Sequence, residues 1–360
     1  MSNKLILTVL GARPQFIKAA AVSRQLRAFG LEEVIVHTGQ HFDENMSEVF
    51  FREMSIPAPK YNLEVHGLNH GAMTGRMMEL LESIVVNEKP AAVMVYGDTN
   101  STLAGALVAK KLNTRVVHVE AGLRSFSMAM PEEINRILTD RISDLLFTPT
   151  EVADSNLMAE GFSHFNAKII RSGDVMQDAA YFYFDMAKTE SHVLERLNLP
   201  KQFVLATFHR QENTDNLKNL QGIVDGLNRI NSETQVVVPL HPRTSKILDK
   251  ENITPSFRIV EPMGYFDMLM LLNHSSLVIT DSGGLQKEAF FFGKHCVTLR
   301  EQTEWVELVE NGFNVLSGTS SDSIYNSFRQ MITRKSNFKV NLYGNGHAAE
   351  KIAAELKEWL

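Results

Sequence analysis

The 360-residue chain has one cysteine, Cys296, which excludes an intramolecular disulfide framework and suits a reducing compartment. At the head of the apolar run Cys296–Leu299 it reads as a small buried residue. Positive charge is also short. Lys and Arg number 36 against 42 Asp and Glu, a net charge of -6, so the basic face that nucleic-acid binding needs is missing. A few local cations around one small anion remain compatible with that balance. The longest apolar stretches, such as Met268–Leu272, fall far short of a membrane span. The opening run Leu5–Leu10 is too short for a signal-peptide core, and no small-residue cleavage site follows it. The expectation is a cytoplasmic protein with neither nucleic acid nor membrane as partner. There is no low-complexity tract, no block of like charge and no fixed-period repeat. There is also no His-x-x-x-His, no cysteine cluster and no clustered aspartate pair, so no metal is expected. G-x-G-x-x-G is absent after the first strand, which removes the dinucleotide fingerprint.

What is present is ordinary globular composition, 44% hydrophobic and 22% charged, in a chain longer than one core usually holds. Apolar runs alternate with helical periodicity from end to end, which predicts βα units and parallel sheets. Strands are expected at Leu5–Leu10, Val34–Val36, Ala92–Tyr96, Val116–Val119 and Leu145–Phe147, with helices at Phe16–Phe29, Gly71–Val86 and Ser101–Leu112. The second half repeats the pattern at Phe203–Thr207, Gln235–Leu240, Phe257–Val260, Leu277–Thr280 and Cys296–Leu299. A turn-like stretch, Arg171-Ser172-Gly173-Asp174, marks the junction. The domains expected are 1–171, joined by a terminal helix at about 346–360, and 172–345. Met73, Met77 and Met78 form a stripe that reads as core packing.

Three strand ends of the first half carry chemistry. Leu5–Leu10 runs into Gly11-Ala12-Arg13-Pro14-Gln15, with Lys18 shortly after. Ala92–Tyr96 runs into Gly97-Asp98-Thr99-Asn100, and Val116–Val119 delivers Glu120 ahead of Ala121-Gly122-Leu123-Arg124. Ligands of open parallel sheets bind outside the carboxyl ends of the strands, so an arginine and two acids share an active-site rim. Pro131-Glu132-Glu133-Ile134-Asn135-Arg136 has the form of a helix start, yet it follows Glu120 by a short loop, and one of its acids could reach the same pocket. In the second half, His209-Arg210 and His241-Pro242-Arg243 follow strands and suit a phosphate or sugar hydroxyl. Asp281-Ser282-Gly283-Gly284 precedes a helix, and glycines there let backbone N–H groups approach a diphosphate. Glu288, further along that helix, is placed to accept from ribose hydroxyls.

Taken in this order, these motifs resemble those of the non-hydrolysing UDP-N-acetylglucosamine 2-epimerases over essentially the whole chain. The resemblance implies an α/β fold of two Rossmann-like domains in the glycosyltransferase-B arrangement, with a UDP-sugar in the interdomain cleft and a homodimer built through the first domain. By motif it implies catalytic roles for Asp98, Glu120, Glu132, His209 and Lys18. It assigns UDP binding to Arg13, Ser282, Gly283, Gly284, Glu288, His241 and Arg136. Arg243 is the candidate for recognising a sugar substituent. The implied chemistry is elimination of UDP to a 2-acetamidoglucal and re-addition with C2 inverted, in the synthesis of polysaccharide precursors, without cofactor.

Three departures from the family pattern stand out. Gln15 replaces the usual glutamate, Gln40-His41-Phe42 replaces a Gln-His-Arg stretch tied to allosteric substrate binding, and Thr303-Glu304-Trp305-Val306 replaces Thr-Glu-Arg-Pro. This set is similar to the branch containing UDP-2,3-diacetamido-2,3-dideoxyglucuronate 2-epimerases. Alternatives of the same architecture are a UDP-sugar-dependent glycosyltransferase, a hydrolysing 2-epimerase and a silent UDP-sugar binder. An acceptor-dependent product or free sugar would identify the first two.

Overall fold

The computed structural model describes residues 4–40 and 58–360. The chain divides into two compact units, Met1–Ala179 with Asn341–Leu360, and Ala180–Val340. Each unit holds one fully parallel sheet flanked by helices.

In the first unit the strands are β1 (Leu5–Leu10), β2 (Glu32–His37), β3 (Tyr61–Asn62), β4 (Ala92–Tyr96), β5 (Arg115–Val119), β6 (Leu145–Thr148) and β7 (Lys168–Arg171). Between them run α1 (Arg13–Ala28), α2 (His70–Glu88), α3 (Asn100–Lys111), α4 (Pro131–Ile142) and α5 (Glu151–Ala159). After β7, α6 (Val175–Glu190) leads out of the sheet. The second unit contains α7 (Val193–Leu197), β8 (Val204–Thr207), α8 (Gln211–Thr214), α9 (Leu217–Asn231), β9 (Val236–Pro239), α10 (Pro242–Lys250) and β10 (Arg258–Val260). It continues through α11 (Tyr265–His274), β11 (Leu277–Thr280), α12 (Gly283–Phe291), β12 (Cys296–Thr298), α13 (Val306–Glu310), β13 (Asn314–Leu316) and α14 (Ser321–Ile332). The last helix, α15 (Ala348–Trp359), belongs to the first unit and packs on α1.

Strand order is β3-β2-β1-β4-β5-β6-β7 in one sheet and β10-β9-β8-β11-β12-β13 in the other. Every residue of β1, β4 and β11 is buried, as a strand with helices on both faces requires. The chain winds outward in both directions from β1 and from β8. The order therefore reverses between β1 and β4 and again between β8 and β11. Those reversals are the topological switch points at which open α/β sheets bind ligands. The Met77 side chain is buried, with Met73 and Met78 packed against the same cluster. Among the described residues no helix is long and apolar enough to cross a membrane.

Candidate active site

The first switch point is assembled by Gln15. Its Oε1 accepts the Gly11 and Ala12 N–H groups at 2.8 and 3.0 Å, while its Nε2 donates to the Tyr96 carbonyl at 2.8 Å. One neutral amide thereby ties the end of β1 to the end of β4. A single carboxylate, all acceptor, cannot make both kinds of bond. Gly11 has no room for a side chain, because Ser101 and Thr38 fill that place. Arg13 opens α1, and Lys18 follows on the same helix.

Lys18 is not a solvated surface charge. It is 7% exposed, and its Nζ pairs with Glu120 Oε2, itself on a residue 8% exposed. Glu120 leaves β5 in the left-handed region at φ 70°, a conformation that glycine adopts freely and glutamate does not. A side chain on Gly97 would come within 3.3 Å of the Glu120 carboxylate and 3.4 Å of the Lys18 ammonium. The ion pair therefore lies directly over the turn that carries Asp98.

Asp98 is about one-third exposed, and its Oδ2 accepts from Arg136 Nε at 3.0 Å and Nη2 at 2.6 Å. Arg136 also donates from Nη1 to Glu133 Oε2 at 2.7 Å. The two adjacent acids of α4 thus part company. Glu133 is buried and clamps the loop before the helix, accepting from the Ser125 and Phe126 N–H groups at 2.9 and 2.8 Å. Burial alone would lift its carboxyl, but the Ser125 N–H, the Arg136 guanidinium and the Phe126 N–H outweigh it and hold it below the ordinary range. Glu132 is exposed in the first turn. Asn135 donates to the Asp98 carbonyl at 2.8 Å and so brings the start of α4 against the Asp98 turn.

In the second unit a buried aspartate organises the other switch point. Asp281 Oδ2 accepts the His209 and Arg210 N–H groups at 3.0 and 2.9 Å and the Asn213 amide at 3.0 Å. Its Oδ1 lies 3.4 Å from His209 Nδ1, on an imidazole whose side chain is 57% exposed. No hydrogen bond joins the two atoms. Ser282 is the N-cap residue of α12, yet its side chain makes no capping bond. Gly284 faces open space, whereas the Glu304 carboxylate and the Trp305 indole stand beside Gly283. Glu288 is buried, and its Oε1 accepts from the Tyr265 hydroxyl at 2.8 Å.

His241 caps α10, its Nδ1 accepting the Arg243 N–H at 3.2 Å. The Arg243 guanidinium pairs with Asp215 across half-exposed surface. Beside the ends of β9 and β10 lies a cavity of about 790 Å³, lined in part by Leu240, Pro242, Lys246, Arg258 and Met263.

Within the first unit the structure therefore brings Asp98, Glu120, Lys18 and Arg136 together, with Glu132 on the same helix as Arg136, and within the second it groups His209 with Ser282 and Gly283. Of the departures noted in the sequence, Gln40 holds Ser101 by accepting from its N–H and hydroxyl at 3.1 and 2.8 Å. His41 and Phe42 lie outside the described residues. Trp305 is 4% exposed and receives the Lys287 ammonium at 3.8 Å from its ring. Cys296 is buried at the start of β12, and burial pushes its thiol up to about 12, away from reactivity. Sequence reasoning named Asp281 within its motif without giving it this organising role, and it passed over Tyr265 and the clamp role of Glu133. The signal for Asp281 is its place, an acid at the end of an apolar strand.

Residues 24–357 match the family described as UDP-N-acetylglucosamine 2-epimerase. The chain is 53% identical over 355 residues to the UDP-2,3-diacetamido-2,3-dideoxy-D-glucuronate 2-epimerase of Pseudomonas aeruginosa, covering 98% of this chain and 99% of that protein. It is 42% identical over 355 residues to the UDP-N-acetylglucosamine 2-epimerase of Methanocaldococcus jannaschii, covering 96% of each. Its backbone is similar to a crystal structure of the Methanocaldococcus jannaschii UDP-GlcNAc 2-epimerase in complex with UDP-GlcNAc and UDP. The TM-score is 0.90 at 42% identity, covering 98% of this chain and 99% of that one.

Proposed function

Because the chain belongs to the UDP-N-acetylglucosamine 2-epimerase family and is a non-hydrolysing UDP-sugar 2-epimerase, we propose that Asp98, Glu120 and Glu132 carry its proton transfers. A sugar C2–H has no neighbouring carbonyl and is not acidic. Departure of UDP changes that. As the C1–O bond breaks, its electron pair goes to the diphosphate oxygen, C1 becomes positive, and a carboxylate removes the C2 proton to leave a C1=C2 double bond. In the return step a diphosphate oxygen attacks C1, and a second group protonates C2 from the opposite face. Electrons balance without an oxidant, and no cofactor is called for.

The observation that carries this reading is the set of environments around the acids. Asp98 is held by the Arg136 fork, Glu120 by the Lys18 ammonium, and Glu132 stands exposed to solvent. Two-faced chemistry at one carbon needs carboxylates in unlike settings, so that one takes a proton while another group gives one. Arg13, Lys18 and His209 offset charge on the leaving diphosphate. Ser282, Gly283, Gly284 and His241 hold UDP, with Glu288 on the ribose, and Arg136 serves by orienting Asp98.

The substrate we favour is the 2,3-diacetamido-uronate, on the 53% identity to that enzyme, with UDP-GlcNAc as the second choice on the 42% identity. A cytoplasmic homodimer making polysaccharide precursors completes the reading. For the dimer, Ile134 and Leu138 lie one turn apart on α4, 40% and 43% exposed. Proton NMR in D2O decides the activity. Deuterium should enter C2 with inversion, in the uronate ahead of UDP-GlcNAc, and no free sugar should accumulate. Free sugar, or no exchange with either compound, would sink the proposal.

A further inference from the structure

His118 lies on β5, two residues before Glu120, and is fully buried. Its Nε2 is 2.8 Å from the Gly97 carbonyl oxygen. A carbonyl only accepts, so that nitrogen carries a proton. Its Nδ1 is 2.7 Å from Asp140 Oδ1. Asp140 also accepts, on Oδ2, from the Gly122 N–H at 3.1 Å and from Arg124 Nη1 at 2.7 Å. Asp140 is thus hydrogen-bonded on both oxygens and His118 on both ring nitrogens. Burial alone would raise the Asp140 carboxyl, but His118 and Arg124 outweigh it and hold it below the ordinary range. Arg124 in turn is clasped by Glu160 through Nε and Nη2 at 2.6 and 2.8 Å.

The cluster's contacts end on the turns that follow β4 and β5. Gly97, Glu120 and Gly122 all have left-handed φ, at 62°, 70° and 79°. The ring's Nε2 ends on the first and Asp140 on the third. Between them lie the turns that carry Asp98 and Glu120. Glycine adopts that region freely, so the strain falls on Glu120, whose N–H donates to the Phe147 carbonyl at 3.0 Å. The pair adds a tie on either side of it, at the Gly97 carbonyl and the Gly122 N–H.

We propose that His118 and Asp140 are a positioning pair that fixes the spacing between the Asp98 turn and the Glu120 turn. The inference rests on the 2-epimerase reading. Neither residue is exposed to substrate, so both act through the acids they hold.

The test uses the full-length protein and three substitutions. His118→Asn keeps a donor toward Asp140 and loses Gly97, and His118→Gln keeps a donor toward Gly97 and loses Asp140. Asp140→Asn keeps a partner at each contact, its amide donating to Nδ1 and its oxygen accepting from Gly122 and Arg124. Both His118 variants should lose on the order of 10- to 100-fold in kcat, as a misplacement of about 1 Å does. KM and UDP affinity should stay within about twofold, which also reports that each variant is folded. Asp140→Asn should recover most of that kcat. Nitrogen-15 NMR should show a proton on Nε2 of His118 in the unaltered protein and in Asp140→Asn alike. Unchanged kcat in both His118 variants overturns the pair, as does an Asp140→Asn loss as deep as theirs. An unaltered protein that inverts no UDP-sugar brings down the epimerase reading first, whereas an active one matched by its variants brings down the pair alone.

Discussion

At Glu120 a left-handed backbone and a buried ion pair with Lys18 coincide. Neutralising one member of such a pair leaves the other charge buried and alone, which costs about 3–5 kcal/mol. Glu120→Gln should therefore lose stability as well as turnover. Lys18→Met added to it should restore part of the melting temperature while leaving turnover low. Additive losses in that cycle would mean the two charges are not coupled. Asp98→Asn and Glu132→Gln carry no such stability penalty. Each should lower kcat about 100-fold or more, with UDP affinity within a few-fold by calorimetry. For Arg243→Ala, kcat/KM should fall further for the uronate than for UDP-GlcNAc, since a guanidinium grips a carboxylate through two bonds. Equal losses would favour UDP-GlcNAc. The motif around Lys18, inside α1, does not decide its role, whereas the places of Asp98 and Glu120 were legible in the sequence because apolar runs point at them. The division of labour between Glu132 and Glu133 was not. Neighbouring helix residues point about 100° apart, and spacing does not say which of the two turns inward.

Strands buried on both faces advertise themselves, and β1, β4 and β11 match their expected limits to the residue. β3 and β13 escaped notice for a physical reason. Tyr61–Asn62 is too short to form a run, and Asn314–Leu316 begins with a buried amide. The order of strands in the sheets, and with it the switch points, is set by tertiary packing that periodicity does not encode. The turn after β5 is more demanding than its Ala-Gly sequence suggests. A side chain on Gly122 would meet the Ala153 carbonyl oxygen at 2.5 Å, at φ 79°. Gly122→Ala should cost about 2–4 kcal/mol, combining left-handed strain with overpacking. A chemical-denaturation midpoint equal to that of the unaltered protein would refute it.

Across the whole molecule, α6 and α15 meet through Asp178, which accepts the Ala348 and Ala349 N–H groups at 3.1 and 2.8 Å. Burial, with the charge of Asp174, lifts the Asp178 carboxyl to about 6 from 3.8. The folded value lies above the unfolded one. Its contribution to stability is therefore fully present below about pH 4 and is lost as pH rises through about 6, by at most about 3 kcal/mol. Asp178→Asn removes the charge but leaves one acceptor oxygen for two N–H groups. It should melt below the unaltered protein at pH 4, and the gap should narrow as pH rises to 8 and the native carboxylate loses its advantage. A gap that widens by pH 8 would show that the charge itself is what the helix start needs. The alternation of strands and helices made two parallel sheets legible in advance. Which residues would bind the returning helix was not, because Arg115 meets the Trp359 ring at 4.4 Å across a separation that no local pattern spans.

That return has a consequence for how the protein is made. Unit 2 is one unbroken stretch, Ala180–Val340, while unit 1 waits for Asn341–Leu360 to cover α1. Domains generally fold as they leave the ribosome, the N-terminal one first. Here the half translated first is the half finished last. Until α15 emerges, the α1 surface it covers stands open to chaperones, and the proposed catalytic acids sit in an unsealed unit. Unit 1 closes only once α15 has docked.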